Sequence, residues 1–351
     1  MCYDKHESIF DPQRWGLRDE ITQNLVPRFV EFWLRFQERF KTKTRDTSDY
    51  AYSYMSGLLR MEGKRNFTNI GFNTGVPEQN MQHFMSNSPW DAWAVIKQVQ
   101  AEIAATPELG GNSVLILDES ADAKAGEKSA GSGRQYNGRL GKVDMSQVGT
   151  FLAYANESVW TWVDGELYLP EHWFAPDMAE LREKLVIPAE REFETKIELG
   201  WKMILRTHAN GLPFEAICCD DFYGQCSDFR AKMNAADFIY MADVPHDTQV
   251  YLKRPVVGVP EAQPGRSGRK PSRYRVLSAD KALKASGVAR LEDTNWSGVF
   301  VRNTERGVLN NEFAARRVWT IHEDKAVQEW LVIRRESGGK CTYSMSNATP
   351  N

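Results

Sequence analysis

An α/β fold, preceded by a helical region and followed by a β-rich one, is predicted by three features of this chain. Apolar residues first recur at helical spacing, as in Leu25-Val-Pro-Arg-Phe-Val-Glu-Phe-Trp-Leu-Arg-Phe36. From about Asn112, short β-rich runs alternate with helical stretches. Two of those runs end on an aspartate, Ser113-Val-Leu-Ile-Leu-Asp118 and Phe214-Glu-Ala-Ile-Cys-Cys-Asp220. Two buried strands that each deliver a carboxylate at the C-terminal end suggest one metal site assembled from distant parts of the chain.

The totals exclude several classes. At 351 residues the chain can bury a sizeable core and form more than one structural unit. Hydrophobic residues at 42% with 26% charged are ordinary for a soluble protein. A formal net charge of −3 means that nucleic-acid binding must come from local patches. No apolar stretch is long enough to span a membrane. The start, Met1-Cys-Tyr-Asp-Lys-His-Glu7, has no apolar signal region, so a cytoplasmic protein is expected. The five cysteines, Cys2, Cys218, Cys219, Cys226 and Cys341, are odd in number and lack zinc-ligand spacing. Free thiols are expected, with small buried residues on a strand around Cys218.

Residues 1–110 read as helical. Tyr50 to Met61 is a second helix, and Asn66 to Phe84 reads as helix, turn, helix, with Gly75 in the turn and Pro77 at a first helical position. One reading is a DNA-binding helix-turn-helix with Gln79, Asn80 and Gln82 as contacts; an ordinary helical hairpin is the other. Residues 111–245 form the α/β part. Val114–Leu117, Val148–Tyr154 and Val159–Leu169 read as strands, the last a hairpin partner with Asp164-Gly165 at its turn. Helices at Met178–Leu185 and Arg191–Ala209, the strand Ile217–Asp220, a helix after Gly224 and the strand Phe238–Ala242 follow. That order is expected of a ribonuclease-H-like sheet and leaves one closing helix unaccounted for. Residues 246–351 hold a Pro-, Gly- and Arg-rich segment, Lys253 to Arg275, and then strand-like stretches at Trp296–Arg302, Arg317–His322, Glu329–Arg335 and Cys341–Met345. The basic segment, with Arg266, Arg269, Lys270 and Arg273, is either a phosphate-contacting arm or a solvated loop.

Asp118 and Asp220 are the candidate metal ligands and catalytic residues. Carboxylate oxygens suit Mg²⁺ or Mn²⁺, and two ions about 4 Å apart would activate a nucleophile and stabilise the leaving oxygen of a phosphodiester. Glu119, Asp122 and Asp221 are nearby spares, with Glu119 and Asp221 turned to the other side by strand alternation. Strand-end aspartates are also common caps. Arg134, Gln135, Tyr136 and Lys142 lie in a Gly- and Ser-rich stretch, Gly126 to Gly141, which reads as a phosphate-binding loop or a long hairpin connection.

Several short segments, in order over nearly the whole chain, are similar to one family. They include Met81-Gln-His-Phe-Met-Ser-Asn-Ser-Pro-Trp-Asp91, Leu115-Ile-Leu-Asp-Glu-Ser120, Arg134-Gln-Tyr136, Ser146-Gln-Val-Gly149 and Leu167-Tyr-Leu-Pro170. Cys219-Asp-Asp-Phe-Tyr-Gly224, Arg254-Pro-Val-Val-Gly-Val-Pro260, Glu329-Trp-Leu-Val-Ile-Arg-Arg335 and Tyr343-Ser-Met-Ser-Asn-Ala348 continue them. The chain thus resembles the DDE-superfamily transposases of the IS701 type, relatives of the IS4 group.

The resemblance implies a ribonuclease-H-like core interrupted by a β-rich insertion, and Mg²⁺- or Mn²⁺-dependent cleavage and strand transfer with two ions in the complete site. Asp118 is then the first catalytic aspartate and Asp220 the second, with Asp221 a lesser alternate. The implied partners are double-stranded DNA, as element ends and target, and a second copy in a homodimer; the implied location is the bacterial nucleoid, with no membrane. In the family the third carboxylate is a glutamate on a helix after the insertion. This sequence stops where that helix is expected, so a truncated transposase with one apolar sheet face exposed is anticipated. Glu312, Glu329 and Glu336 are the available substitutes. A non-catalytic DNA-binding regulator, or a nuclease of the same fold using a spare such as Glu119, are the alternatives.

Overall fold

The computed structural model describes residues 24–60, 63–157, 159–261, 271–304 and 307–348. It divides into two units, Met1–Val99 and Gln100–Asn351. The expected contacts Arg266, Arg269 and Lys270 lie outside the described residues.

The first unit is helical: α1 (Leu25–Phe36), α2 (Ser48–Arg60), α3 (Phe67–Thr74), α4 (Glu78–Asn87) and the first turns of α5 (Ala92–Ala104). Its core is aromatic. Trp33 and Phe36 of α1 meet Phe40, Ala51 and Phe84, and rings of Phe40, Phe84 and Trp90 lie 5.3 to 6.1 Å apart. The α3–α4 hairpin packs separately on Ile70 and Met81. Asn66 caps α3 by accepting from Asn69 N at 2.9 Å. Gly75 ends α3 at φ +75, which glycine adopts without strain. Pro77 is the N-cap of α4 and not its first helical residue.

The second unit is built on one mixed sheet. Its strands are β1 (Val114–Ala123), β2 (Gly133–Asn137), β3 (Lys142–Ala155), β4 (Trp160–Leu167), β5 (Ala216–Cys219) and β6 (Tyr240–Val244). Two-residue strands β7 (Gln249–Val250), β8 (Val257–Gly258), β9 (Arg275–Val276) and β10 (Leu283–Lys284) form small pairs beside it. β11 (Ser297–Thr304), β12 (Gly307–His322), β13 (Lys325–Arg335) and β14 (Cys341–Ser346) complete it. The order is β11-β12-β13-β14-β6-β5-β1-β3-β2, with β4 also on β3. β1, β5 and β6 are mutually parallel; the remaining pairings are antiparallel. The β-rich end of the chain is therefore no separate layer, because β14 pairs with β6 and extends the same sheet.

Helices cover one face. They are α7 (Lys196–Ala209), the single turn α8 (Asp221–Gly224), α9 (Ser227–Ala235) and the short α10 (Ala285–Val288), while α6 (Ala179–Lys184) packs on the turns that precede it. α7 starts at a capping box: Thr195 Oγ1 accepts from Glu198 N at 3.2 Å, and Glu198 accepts from Thr195 N at 2.7 Å. Leu199, Met203 and Ile204 of α7 and Phe229 and Met233 of α9 are fully buried, as are Leu115, Leu117, Leu152 and Ile217 of the strands. By strand alternation Ile116 and Asp118 point to the other face. Phe151 and Ala153 sit directly beside them on β3, and Trp162 and Trp160 beside Ala153 and Ala155. Ile116 is 37% exposed, Trp162 51% and Trp160 72%, so this face carries an open apolar surface among the described residues.

Two further local expectations differ from the structure. Asp164-Gly165 makes no turn: β4 runs through it at a bulge, and the β3–β4 turn closes between Asn156 and Val159. Asp164 is instead buried, accepting from Arg206 Nε at 2.8 Å and Nη2 at 2.9 Å. Arg134, Gln135 and Tyr136 lie not in a loop but on β2, paired with β3.

Candidate active site

The β1–β5 pairing brings the two aspartates together. Leu117 lies beside Cys219 in parallel register, and Asp118 and Asp220 are the next residue on each chain. Asp118 stays in β1, exposed, its Oδ1 accepting from Glu119 N at 2.7 Å. Asp220 leaves β5 and becomes the N-cap of α8, accepting from Tyr223 N at 3.4 Å. The tight exit depends on Gly224, since a Cβ there would lie 1.9 Å from Asp243 O.

The electrostatics of Asp220 agree with that proximity. Burial pushes the Asp220 carboxyl up to about 6; the Tyr223 N–H opposes the shift, and the charges of Asp118, Asp221 and Glu119 add to it. Two or more carboxylates thus repel one another where Asp118 of β1 lies beside the exit of β5.

Glu119 is engaged by a lysine. It faces the helical side, where Lys196 Nζ lies 2.6 Å from its Oε2 with the two side chains 13% and 20% exposed. The same ammonium sits over Tyr168 and Phe222, 5.5 and 5.3 Å from their ring centroids. Asp122 pairs with Lys124 at 2.8 Å, and that hydrogen bond holds its carboxyl below the usual range. Asp221 is exposed beside Asp220.

The glutamates considered as substitutes for a third carboxylate are engaged elsewhere. Glu329 is buried on β13, bound to Arg230 Nε at 2.8 Å and Tyr240 OH at 2.7 Å. Glu312 accepts from Arg335 Nε at 2.8 Å, and Glu336 lies 3.6 Å from Arg334 Nη2. Sequence reasoning missed Asp243 of β6. The β5–β6 register sets Ala242 beside Cys219, which brings Asp243 next to Asp220, and both line a cleft of about 320 Å³ with Asp221 and His246. Ser344 Oγ donates to Asp243 Oδ1 at 2.5 Å. Its signal was present in the strand pattern Tyr240-Met-Ala-Asp243, but the expected strand Phe238–Ala242 stops one residue short of it.

The donor set fits a hard divalent cation: exposed carboxylate oxygens whose mutual repulsion lacks a counter-charge. Among the described residues no three acidic, His or Cys groups close around one point. Mg²⁺ does not require that, since it commonly keeps waters and takes one or two carboxylates with substrate phosphates.

Of the expected DNA contacts, Gln79, Asn80 and Gln82 are exposed on α4, with Asn80 Nδ2 3.5 Å from Tyr50 OH. Arg134 is exposed, as is Arg273. Lys142 is paired with Asp144 at 2.8 Å. Two further exposed cations lie on tryptophans: Arg317, not named among the expected contacts, stacks on Trp330 at 4.9 Å, and Arg254, within the expected basic segment, stacks on Trp319 at 5.3 Å. Strand pairing carries the Asp118 face across Cys218, Met241 and Ser346 to Trp330 and Arg317.

A carboxylate pair on neighbouring parallel strands of a mixed sheet, Asp118 within β1 and Asp220 just past β5, defines a candidate metal-dependent phosphodiester site. Residues 35–308 match the DDE superfamily endonucleases, and the chain belongs to that family. It is 29% identical over 204 residues to a probable transposase for insertion sequence element IS701 from Microchaete diplosiphon, across 56% of this chain and 48% of that one. The chain spans about half the length of the curated relative it matches. Members of the family generally use divalent metal ions and act on DNA. No helix among the described residues is long and apolar enough to cross a membrane.

Proposed function

We propose that this chain is a transposase polypeptide of the DDE class, with a ribonuclease-H-like core that cleaves and rejoins DNA at the ends of an insertion element. The observation that carries the reading is the register of β1 and β5, which sets Asp118 and Asp220 side by side, with Asp220 driven up to about 6. Asp118 and Asp220 would hold Mg²⁺ or Mn²⁺, two ions in the complete site. Bound there, the metal supplies a more acidic nucleophile and charge stabilisation of the leaving oxygen. The protein's own groups prepare that work. The N-cap bond from Tyr223 fixes the Asp220 carboxylate, while Lys196 neutralises Glu119 and keeps it on the helical side. Exposed Arg317 and Arg254 on their tryptophans, with Arg134, offer cations to phosphates of double-stranded DNA. Pairing of two ends calls for a homodimer, acting in the cytoplasm at the nucleoid.

The engagement of Glu312 and Glu329 by Arg335 and Arg230 favours a second reading, a non-catalytic DNA-binding regulator derived from a transposase. Calorimetric titration with Mn²⁺ and Mg²⁺ separates the two. Binding by the wild type that is lost in Asp118→Asn/Asp220→Asn supports the catalytic reading. Unchanged binding in that variant, or none in either protein, removes it and leaves the regulator.

A further inference from the structure

Beneath the acidic pair, on the helical side of the sheet, three buried oxygens from three elements come together. Of the four residues of α8, Tyr223 alone sinks a side chain into the core, where it is fully buried. Its hydroxyl makes no hydrogen bond among the described residues, and neither does the fully buried Thr150 Oγ1. Buried hydroxyls normally find a partner. Thr150 of β3 stands directly opposite Glu119 of β1. The buried Glu119 Oε2 is paired in charge with Lys196 and likewise lacks a well-directed hydrogen bond. Burial drives the Tyr223 hydroxyl up; the Thr150 hydroxyl opposes the shift, and the charges of Glu119, Asp220 and Asp118 add to it, which places that hydroxyl among these groups.

The surroundings select what can join the three oxygens. An anion would meet the Glu119 carboxylate, and a cation the Lys196 ammonium. A direct bond between Tyr223 and Thr150 would satisfy two of the oxygens and leave Glu119 with its lysine alone. A water has two donors and two acceptor positions. It can donate to Glu119 Oε2 and Thr150 Oγ1 and accept from Tyr223 OH, which matches the two to four polar partners that hold a buried water.

We propose that Tyr223 is a positioning residue for the acidic pair: one ordered water shared with Thr150 and Glu119 ties its hydroxyl, and with it α8, to β1 and β3, and so fixes the Asp220 carboxylate beside Asp118. The inference rests on the reading of Asp118 and Asp220 as the metal site. A tie of this kind is needed there. Isolated helices shorter than about 12–15 residues are marginal in water, and α8 is a single turn. Its cap bond, from Tyr223 N to Asp220 Oδ1, is long at 3.4 Å. Tyr223 thus holds Asp220 twice, directly by its N–H and through the core by its hydroxyl.

The test joins three measurements on the full chain: a crystal structure that shows waters, urea unfolding, and calorimetry with Mn²⁺. The crystal structure should show one water within hydrogen-bond reach of Tyr223 OH, Thr150 Oγ1 and Glu119 Oε2. Tyr223→Phe and Thr150→Val should each lower the urea midpoint. The double variant should fall little below the worse single one, since both changes release the same water. Tyr223→Phe should also weaken Mn²⁺ binding several-fold, whereas Thr150→Ser, which keeps the hydroxyl, should match the wild type in midpoint and in affinity. A direct Tyr223–Thr150 bond with no water between them would overturn the proposal. So would a midpoint that stays or rises in both single variants, because deleting an oxygen that has no partner is neutral or stabilising. Wild-type Mn²⁺ affinity in a folded Tyr223→Phe would overturn the positioning role. Failure of the wild type itself to bind Mn²⁺ would instead remove the metal-site reading on which the role depends.

Discussion

Glu329 is the residue at which a structural and a catalytic role make opposite predictions. It is 3% exposed, bridged to Arg230 by both oxygens and bonded to Tyr240 and Thr320, while Arg230 also donates to Gly224 O. Burial raises its carboxyl, but the Arg230 charge and the hydrogen bonds outweigh it, so the folded-state value is below the ordinary one. A depressed carboxylate contributes stability above its unfolded pKa, and the contribution is lost as pH falls through the folded value. Glu329→Leu leaves the Arg230 guanidinium buried and unpaired, a loss of about 3–5 kcal/mol. That is a large part of the roughly 5–15 kcal/mol by which domains are stable. With a urea slope of about 3 kcal/mol per M, the midpoint of the sheet unit should fall by about 1 to 2 M. Arg230→Met/Glu329→Leu should recover most of it, because apolar replacement of a buried pair is often neutral or favourable. The measurement is urea unfolding of wild type, both single variants and the double variant. A loss under about 1 kcal/mol in Glu329→Leu, or a double variant no better than the worse single, would refute the reasoning. Retained stability with abolished DNA cleavage would make Glu329 a catalytic carboxylate.

Metal binding should titrate with Asp220: affinity measured by calorimetry falls as pH drops through about 6, because the cation competes with the proton. In metal-free protein the sign for stability is reversed. The raised carboxyl makes Asp220→Asn, which keeps the N-cap acceptor, more thermostable than wild type at pH 8. That gain shrinks below about 6 and vanishes under the ordinary carboxylate range; a destabilised variant at pH 8 would contradict the raised value. Lys196→Met should tighten Mn²⁺ binding at neutral pH, because the freed charge of Glu119 beside Asp220 attracts the cation, and Glu119→Gln in the same chain should rescue the wild-type affinity. Failure of that rescue would leave Lys196 a packing residue only. Gly224→Ala should cost about 3 kcal/mol by thermal or urea unfolding, since the clash is with backbone and no rotamer relieves it; a change under about 1 kcal/mol would mean that α8 moves freely.

The helix Leu25–Phe36 was legible because its apolar residues follow the helical period and nothing distant overrides them. The strand Ala216–Cys219 and the apolar start of β1 were legible for a similar reason, a buried parallel strand being a short apolar run, but β1 does not end at Asp118: pairing with β3 carries it on to Ala123. Asp164-Gly165 misled because a turn dipeptide is a local preference, and burial of Asp164 against Arg206 outweighs it. Glu329 was legible as an acid but not as a spent one, since its partners Arg230 and Tyr240 come from other elements.

By itself the sequence determined the long amphipathic helices, the apolar strands and the two aspartates that follow their apolar runs, because periodicity and apolar runs are local properties. It also determined, through the ordered short motifs, the family to which residues 35–308 belong. Only the tertiary structure decided that β14 joins β6, that Asp243 stands next to Asp220, and that Glu119 is neutralised by Lys196. Each of these depends on register between segments distant in the chain, and register is set by the packing of a whole face.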